Sequence, residues 1–403
     1  MRKSVWLVAL TCILVMIAGL AFAADKKPVS LCAVGVLSGK VGAVPETGWG
    51  YVDGAAFINE NGGINGRPFK VILEDGQYDV PVSVSAFNRV LAAEPQDELM
   101  FHSGFQTGVL MALREKIAES HVICVDGSMA THIFSEKVKQ DYPYYFSCGV
   151  PYGDQCGALL QFIKNKLHKG KAGKPKVAFI YIEATAGKDP LEKLREYAKK
   201  MDVDIVLEEP VTFTTTDYTP TIMKIRQAGA EYSILWSWAI PVSARFEKIY
   251  RKFFPKAPLL GLSYAAGEIG FKTAGEAHDG LYAFGPYPRP NETDNKLVQI
   301  CLETATKQNH KWVNWDVYVQ SFIMSLICAE GARRAEKAGN LTREGCRDAL
   351  EAIKGWDLYG MYGGKTVDYS LHRLNRGRII QANWEKKTNI PVTDWFEIAE
   401  YVK

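Results

Sequence analysis

Hydrophobic and polar positions follow three successive patterns between residues 30 and 75. The apolar run from Ser30 to Leu37 predicts a buried strand, the Ala-rich amphipathic segment from Trp49 to Asn59 predicts a helix, and the alternating stretch from Phe69 to Leu73 predicts a second strand. Gly62 and Gly63 follow the helical segment, where a left-handed backbone is cheap only for glycine, and so mark its end. The pattern predicts a β-α-β unit.

The same alternation of short strands and amphipathic helices continues along the chain. In the first half the pattern predicts strands at 99–102 and 121–126, and in the second half at 176–182, 204–207 and 232–236. Strands separated by helices of this length form parallel sheets with right-handed crossovers. Two such series predict an α/β fold with two doubly wound lobes.

The helix end Asn-x-x-Gly-Gly-Ile-Asn-Gly-Arg at 59–67, followed by a strand and the acidic pair Glu74 and Asp75, resembles the opening of periplasmic solute-binding proteins of the Leu/Ile/Val type. The resemblance covers essentially the whole chain after the N-terminal segment. It implies the type I periplasmic binding protein fold, in which a three-segment hinge joins the lobes. Lobe one would comprise residues 28–146 plus 285–359, and lobe two residues 147–284 plus 360–403.

The N-terminus has the features of a signal peptide. Arg2 and Lys3 precede an apolar stretch from Val5 to Phe22, and Ala23 ends a small-x-small cleavage site. We expect cleavage after Ala23 and a periplasmic mature protein, with an uncleaved membrane anchor as the alternative because the apolar stretch approaches the roughly 20 residues that span a bilayer.

The amino-acid composition is typical of a soluble globular protein. About 380 residues remain after cleavage, which suits two domains. A formal net charge of +3 gives no reason to expect nucleic-acid binding. Seven cysteines remain, so at least one stays free or pairs between chains; Cys148 with Cys156, or Cys328 with Cys346, could form a disulfide.

Candidate ligand-binding residues lie at the carboxyl ends of the predicted strands, where open α/β sheets bind ligands. In the first lobe these are Ser38, Phe105, Gln106, Thr107, Ser128, Met129, Ala130 and Thr131. In the resembled family the two loops at 104–108 and 127–131 supply a hydroxyl and backbone N–H groups to the ligand carboxylate, which points to Thr107 and to the Ser128 loop. Helix capping by Ser and Thr is the alternative for each residue alone.

The second lobe offers apolar walls but departs from the family pattern. Its candidates, together with one residue of a later segment, are Thr185, Trp236, Trp238, Ser263, Tyr264 and Tyr318. The family commonly has a Tyr where this chain has Ala186, and an acidic residue for the ligand ammonium near Ser263. Glu183 or Glu268 could replace that acid. Without a replacement, a buried ammonium would lack its counter-ion, so the α-amino group need not be the recognised feature.

The sequence lacks the usual catalytic and metal-binding motifs, with no HExxH, Walker loop, GxSxG or CxxC. We therefore expect no enzyme activity, no cofactor and no metal. The hypothesis that the resemblance favours is a monomeric receptor that captures a small carboxylate-bearing solute and delivers it to the permease of an ABC transporter. An exported α/β enzyme and a sensory ligand-binding domain are the alternatives.

Overall fold

The computed structural model describes residues 26–39, 42–265, 267–311 and 314–402; the predicted signal peptide lies outside the described residues. The strands are β1 (Val29–Gly35), β2 (Phe69–Asp75), β3 (Leu99–Ser103), β4 (Ile123–Asp126), β5 (Tyr145–Ser147), β6 (Lys176–Ile182), β7 (Asp204–Val211), β8 (Tyr232–Trp236), β9 (Leu259–Gly261), β10 (Tyr282–Gly285), β11 (Arg376–Asn383), β12 (Thr388–Pro391) and β13 (Phe396–Glu397). The α-helices are α1 (Glu46–Glu60), α2 (Val80–Ala93), α3 (Thr107–Ala112), α4 (Arg114–Ser120), α5 (Val138–Asp141), α6 (Tyr152–Phe162), α7 (Thr185–Lys188), α8 (Leu191–Met201), α9 (Thr219–Gln227), α10 (Ile240–Phe253), α11 (Ile269–Thr273), α12 (Lys296–Lys307), α13 (Trp315–Lys337), α14 (Arg343–Glu351) and α15 (Ile398–Tyr401).

The first sheet is entirely parallel and has the strand order β2-β1-β3-β4-β5. Every residue of β1, β3 and β4 is buried, because helices cover both faces of the sheet. The edge strand β2 is mostly half-buried. This burial explains why the central strands are continuous apolar runs, whereas β2 alternates.

The second sheet repeats this topology and extends it. Strands β7-β6-β8-β9-β10 are parallel and in the same relative order, and β11 then pairs antiparallel with β10. Strands β12 and β13 both pair antiparallel with β11. Because these pairings are antiparallel, the second sheet is mixed at this edge. The sequence pattern predicts none of the strands β11, β12 and β13.

The chain passes between the two sheets three times. After β5 it enters the second sheet, and after β10 it returns to the first lobe, where α13 packs on α1 and α14 packs on β3 and β4. It crosses again to form β11. The predicted fold class, two doubly wound lobes joined by a three-segment hinge, is confirmed, while the residue boundaries stated for the lobes stay a prediction.

The predicted end of the first helix is present in the structure. Helix α1 ends at Glu60, Gly62 and Gly63 have φ values of 87° and 61°, and the Gly63 N–H donates to the carbonyl of Ile58 at 2.9 Å. A left-handed backbone after a helix is the reason for glycine at these positions. The chain therefore turns sharply into the segment that leads to β2.

Candidate functional site

The candidate site lies where the strand order of each sheet reverses. The reversal falls between β1 and β3 in the first sheet and between β6 and β8 in the second, and ligands of open α/β sheets bind at such switch points. Val36 follows β1, Phe105 follows β3, Ala186 follows β6 and Trp238 follows β8, and all four residues line one cavity. The cavity therefore lies between the two switch points.

This cavity is small and largely apolar. Its volume is about 70 Å³, counted as the space that the centre of a water molecule can occupy. One water needs roughly 10–15 Å³ by this measure. The site therefore has room for a compact solute. Its other lining residues are Val44, Thr47, Tyr78, Tyr152, Ile240, Tyr264, Asn314 and Val317.

Aromatic rings, most of them from the second lobe, form one wall of the cavity. The Trp238 ring centroid lies 5.2 Å from that of Trp236 and 6.4 Å from that of Tyr78. Tyr152 and Tyr264 lie 4.5 Å and 6.2 Å from Trp236. Trp236 is itself fully buried, so it supports the ring wall from behind.

Trp236 also fixes the loop that follows β6. Its indole N–H donates to the carbonyl of Ala186 at 2.7 Å. In the same loop a Cβ on Gly187 would lie 1.7 Å from the carbonyl oxygen of Ile182, so only glycine permits this close turn. A hydrogen bond therefore joins this loop to the aromatic wall.

The two lobes contact each other beside the cavity. The Tyr264 hydroxyl, from the second lobe, lies 3.0 Å from both the Gly127 carbonyl and Oε1 of Gln320 in the first lobe. The carboxylate of Asp189, also in the second lobe, accepts the N–H of Thr131 at 2.6 Å and that of His132 at 3.3 Å. These contacts describe a closed arrangement of the lobes.

The loops after β3 and β4 meet through two buried hydroxyls. Oγ1 of Thr107 and Oγ of Ser128 lie 2.7 Å apart. Beneath them, Oδ1 of the buried Asp126 accepts the Ser128 N–H at 2.7 Å. Burial raises the pKa of Asp126 to about 7, against the opposing effect of backbone hydrogen bonds from Ser128 and Gly104. An internal carboxyl group therefore already occupies one of the N–H groups that the sequence assigned to a ligand.

The structure brings three of the predicted residues to the cavity: Phe105, Trp238 and Tyr264. Thr107, Ser128, Met129, Ala130 and Trp236 are buried next to the lining residues in sequence or in space. Gln106 lines a small pocket that shares Phe105 and Tyr78 with the cavity.

The other predicted residues lie away from the cavity lining. Ser38 is exposed and donates to Oδ2 of Asp75 at 2.5 Å, Thr185 is exposed, and Thr131 lines a separate groove. The Tyr318 hydroxyl donates to Oδ2 of Asp53 at 2.7 Å, which places Tyr318 in the core between α13 and α1. Helix α13 is buried on nearly all sides, so its sequence pattern does not reveal which residues face the cleft.

Two aromatic lining residues escape the sequence analysis. Tyr78 follows β2 with a left-handed φ of 50°, in a turn that carries no ligand-binding motif. Tyr152 begins α6, directly after the first crossing between the lobes. Burial raises the pKa of both hydroxyl groups. Both side chains therefore present neutral phenols to the cavity.

No acidic side chain takes the family position at Ser263, which is buried and donates its N–H to Oε1 of Gln155 at 3.0 Å. Glu183 is exposed and pairs with Lys188 at 3.2 Å. Both carboxylate oxygens of Glu268 are bound by the buried Arg289. Among the residues that the structure describes, the cavity lining contains no Asp, Glu, Lys, Arg or His.

The described residues offer no metal site, disulfide or membrane-spanning helix. No group of His, Cys, Asp and Glu there could hold a metal ion. The seven cysteines are free buried thiols, so neither of the suggested disulfides is formed. No helix within 26–39, 42–265, 267–311 or 314–402 is long and apolar enough to cross a membrane.

The chain is similar to known binding proteins over most of its length. The periplasmic binding protein family matches residues 28–388. A Leu/Ile/Val-binding protein homologue of Brucella suis is 24% identical over 336 residues, covering 82% of each chain. An amino acid binding protein of Pseudomonas aeruginosa is 28% identical, covering 49% of this chain and 51% of the relative.

Solved structures show the same fold. A branched-chain amino acid ABC transporter protein from Thermus thermophilus with bound valine has a TM-score of 0.81 at 22% identity, covering 94% of this chain and 98% of that one. A solute-binding protein from R. palustris in complex with 4-hydroxybenzoate has a TM-score of 0.76 at 17% identity, covering 92% and 97%. The family match spans nearly all of the described residues, and this chain belongs to the periplasmic binding protein family.

Proposed function

We propose that this protein is a periplasmic receptor for a small apolar or aromatic carboxylate that lacks an α-amino group. The observation that carries the proposal is the aromatic cavity between the switch points, whose described lining has no carboxylate to pair with an ammonium. Aromatic and aliphatic side chains with a few polar groups are typical of small-molecule sites. The receptor would deliver its solute to the permease of an ABC transporter.

The first lobe supplies the proposed anchor for the ligand carboxylate. Thr107 and Ser128 bring two hydroxyls together, and Ser128 opens the loop that continues through Met129 and Ala130. Because Asp126 and Asp189 accept the N–H groups of Ser128 and Thr131, we assign the ligand carboxylate to the hydroxyl pair and to the N–H groups of Met129 and Ala130. Hydrogen bonds to a charged group are worth about 1.5–3 kcal/mol each.

The second lobe supports a ligand that lacks the α-amino group. A buried ammonium without a counter-ion loses several kcal/mol of hydration energy. The aligned loop supplies Ser263 in place of the family acid, and neither Glu183 nor Glu268 lines the cavity. A deaminated acid avoids this cost and still fills the space between Trp238 and Tyr264.

A branched-chain amino acid is the second candidate ligand. The curated relatives named for Leu, Ile and Val favour it. In either case the receptor acts as a monomer without a cofactor, and it binds its solute without transforming it. An enzyme would need a nucleophile–base pair or a metal cluster in the cleft.

A thermal-shift screen tests the proposal. The mature protein is heated with leucine, valine and phenylalanine, and in parallel with their deaminated analogues 4-methylpentanoate, 3-methylbutanoate and 3-phenylpropionate. Ligands that bind only the folded state raise the midpoint temperature. We expect the acids to raise it at least as much as the amino acids. Stabilisation by the amino acids alone would contradict the proposed ligand class.

A further inference from the structure

A second, smaller cavity lies behind the aromatic wall in the second lobe. It shares Trp238, Ile240 and Tyr264 with the main cavity, and the space open to the centres of water-sized molecules is about 20 Å³. By the measure of roughly 10–15 Å³ per water, it holds one or two small polar groups. We name it the side pocket.

The side pocket contains a buried carboxyl group that the site described above does not use. Glu247 of α10 lines it and is only 1% exposed. Oε2 of Glu247 lies 2.7 Å from Nδ1 of the fully buried His278. Among the described residues, Glu247 forms no other hydrogen bond. Its second carboxylate oxygen therefore lacks a donor.

The neighbouring polar groups do not supply this donor. Since a carboxylate only accepts, Nδ1 of His278 is the donor in its hydrogen bond to Oε2 of Glu247, and Nε2 of His278 has no hydrogen-bond partner among the described residues. Arg251, one turn further along α10, directs its guanidinium to the carbonyls of Ala257, Ala277 and Asp279. A buried acceptor without a donor is costly, so the site favours an incoming donor.

A purely structural role for Glu247 accounts for only one of its oxygens. The hydrogen bond to His278 ties α10 to the 3-10 helix Gly275–His278. That bond leaves the remaining oxygen and the adjoining space unexplained. The side pocket adjoins Trp238 and Tyr264, which also line the main cavity.

We propose that the side pocket is a subsite for a hydrogen-bond donor, in the first place a hydroxyl, at the end of the solute remote from its carboxylate, with Glu247 as the acceptor. This inference rests on the proposed function, because the carboxylate fixes which end of the solute faces the second lobe. A solute that spans the cavity would place an aromatic ring against Trp238 and its donor next to Glu247. The resulting ligand class is an aromatic acid with a distal hydroxyl.

Three related acids test this inference by calorimetry. The acids are 3-phenylpropionate, 3-(4-hydroxyphenyl)propionate and 3-(4-methoxyphenyl)propionate, the last of which carries the same oxygen without the donor. We expect the hydroxyl compound to bind about tenfold tighter than the other two, as for one hydrogen bond to a charged group. The affinity for 3-(4-aminomethylphenyl)propionate, measured in the same way, compares an ammonium donor with the hydroxyl donor.

Two variants at Glu247 separate the subsite from its structural role. Glu247→Met removes both acceptors, and Glu247→Gln keeps an acceptor for His278 but loses the charge. Both should lose the preference for the hydroxyl compound while their affinity for 3-phenylpropionate stays within about twofold. Glu183→Gln, at an exposed glutamate, serves as the control and should keep the preference.

The outcomes distinguish the two proposals. If wild type binds all three acids equally, or if both Glu247 variants keep the preference, the side pocket is not a donor subsite, although the proposed function stands. If none of the three acids binds but 4-methylpentanoate does, this inference fails and the proposed function stands. If none of the deaminated acids binds, aliphatic or aromatic, the proposed function fails and this inference fails with it. Far-ultraviolet circular dichroism verifies that each variant is folded, and Glu247→Gln decides the case if Glu247→Met is not.

Discussion

The hydroxyl oxygens of Thr107 and Ser128 lie 2.7 Å apart and join the loops that follow two neighbouring strands of the first sheet. Both side chains are almost completely buried. The pair therefore places two groups of the proposed carboxylate anchor at a fixed separation before any ligand arrives. Such preorganisation reduces the entropy that is lost on binding.

Replacing one member of this pair tests the anchor. We expect Thr107→Val to weaken the binding of 4-methylpentanoate by about 1–3 kcal/mol, because a hydrogen bond to a charged group is lost. Calorimetry measures the change. Thr306→Val, an equivalent replacement at an exposed position of α12, is the control. Equal affinities in a folded Thr107→Val protein would show that the Thr107–Ser128 pair only joins the two loops.

The Tyr264 hydroxyl contacts Gly127 and Gln320 across the cleft and should stabilise the closed arrangement. Tyr264→Phe removes that contact and should weaken the binding of every ligand by about 0.5–1.5 kcal/mol, to a similar extent for each. Tyr197→Phe is the matched control, since its hydroxyl contacts Asp154 within the second lobe at 2.8 Å. A loss of affinity in both variants would contradict the assignment of Tyr264 to closure.

The titration of Asp126 should appear in the pH dependence of stability. Burial raises its pKa from 3.8 to about 7, so the native state holds a proton that the unfolded state has already lost between about pH 4 and pH 7. The contribution of Asp126 to the free energy of unfolding therefore falls as the pH rises through this window. Above about pH 7 it is constant.

Urea unfolding of wild type and Asp126→Asn at several pH values measures this contribution. The difference in free energy of unfolding, wild type minus variant, should decrease from pH 4 to pH 7 and then level off. A difference that increases with pH would mean that the native state stabilises the carboxylate.

The buried Arg289 joins the two lobes through carboxylates on either side. Its guanidinium donates to Oδ1 of Asp316 at 2.5 Å and to Oε1 of Glu268 at 3.0 Å. Removing one partner of a buried ion pair costs about 3–5 kcal/mol, whereas an exposed pair is worth less than about 1 kcal/mol. We expect Asp316→Ala to lower the free energy of unfolding strongly and Lys27→Ala, at the exposed pair with Asp97, to change it little. Similar losses of unfolding free energy in the two variants would contradict a stabilising role for the buried ion pairs of Arg289.

The sequence predicted the parts of the fold that depend on local patterns. The buried runs of β6 and β8 have the predicted bounds, and glycine at 62 and 63 marked the end of α1, because strand periodicity and left-handed turns are local properties. Local spacing is less informative for α4: Leu110, Leu113 and Ile117 recur at the spacing of one continuous helix, whereas in the structure α3 ends at Ala112 and α4 begins at Arg114.

The candidate site was less accessible to sequence reasoning because its residues converge from distant segments. Phe105 and Trp238 follow strands with predicted bounds, and these two residues and Tyr264 were identified by their position along the chain. Tyr78 and Tyr152 reach the same cavity from a turn and from a crossing between the lobes, which no periodic pattern reveals. Glu247 is hidden in the sequence for a similar reason, since it lies on an ordinary amphipathic helix.

The ratio of affinities for leucine and 4-methylpentanoate tests the central claim most directly. The two compounds differ only in the α-amino group, and isothermal titration calorimetry of the mature protein gives both Kd values under one set of conditions. We predict that 4-methylpentanoate binds at least as tightly as leucine, because the aligned loop supplies Ser263 where the family has an acid. Leucine binding tenfold tighter or more, a difference of about 1.4 kcal/mol, would contradict the account and show that the site pairs with the ammonium.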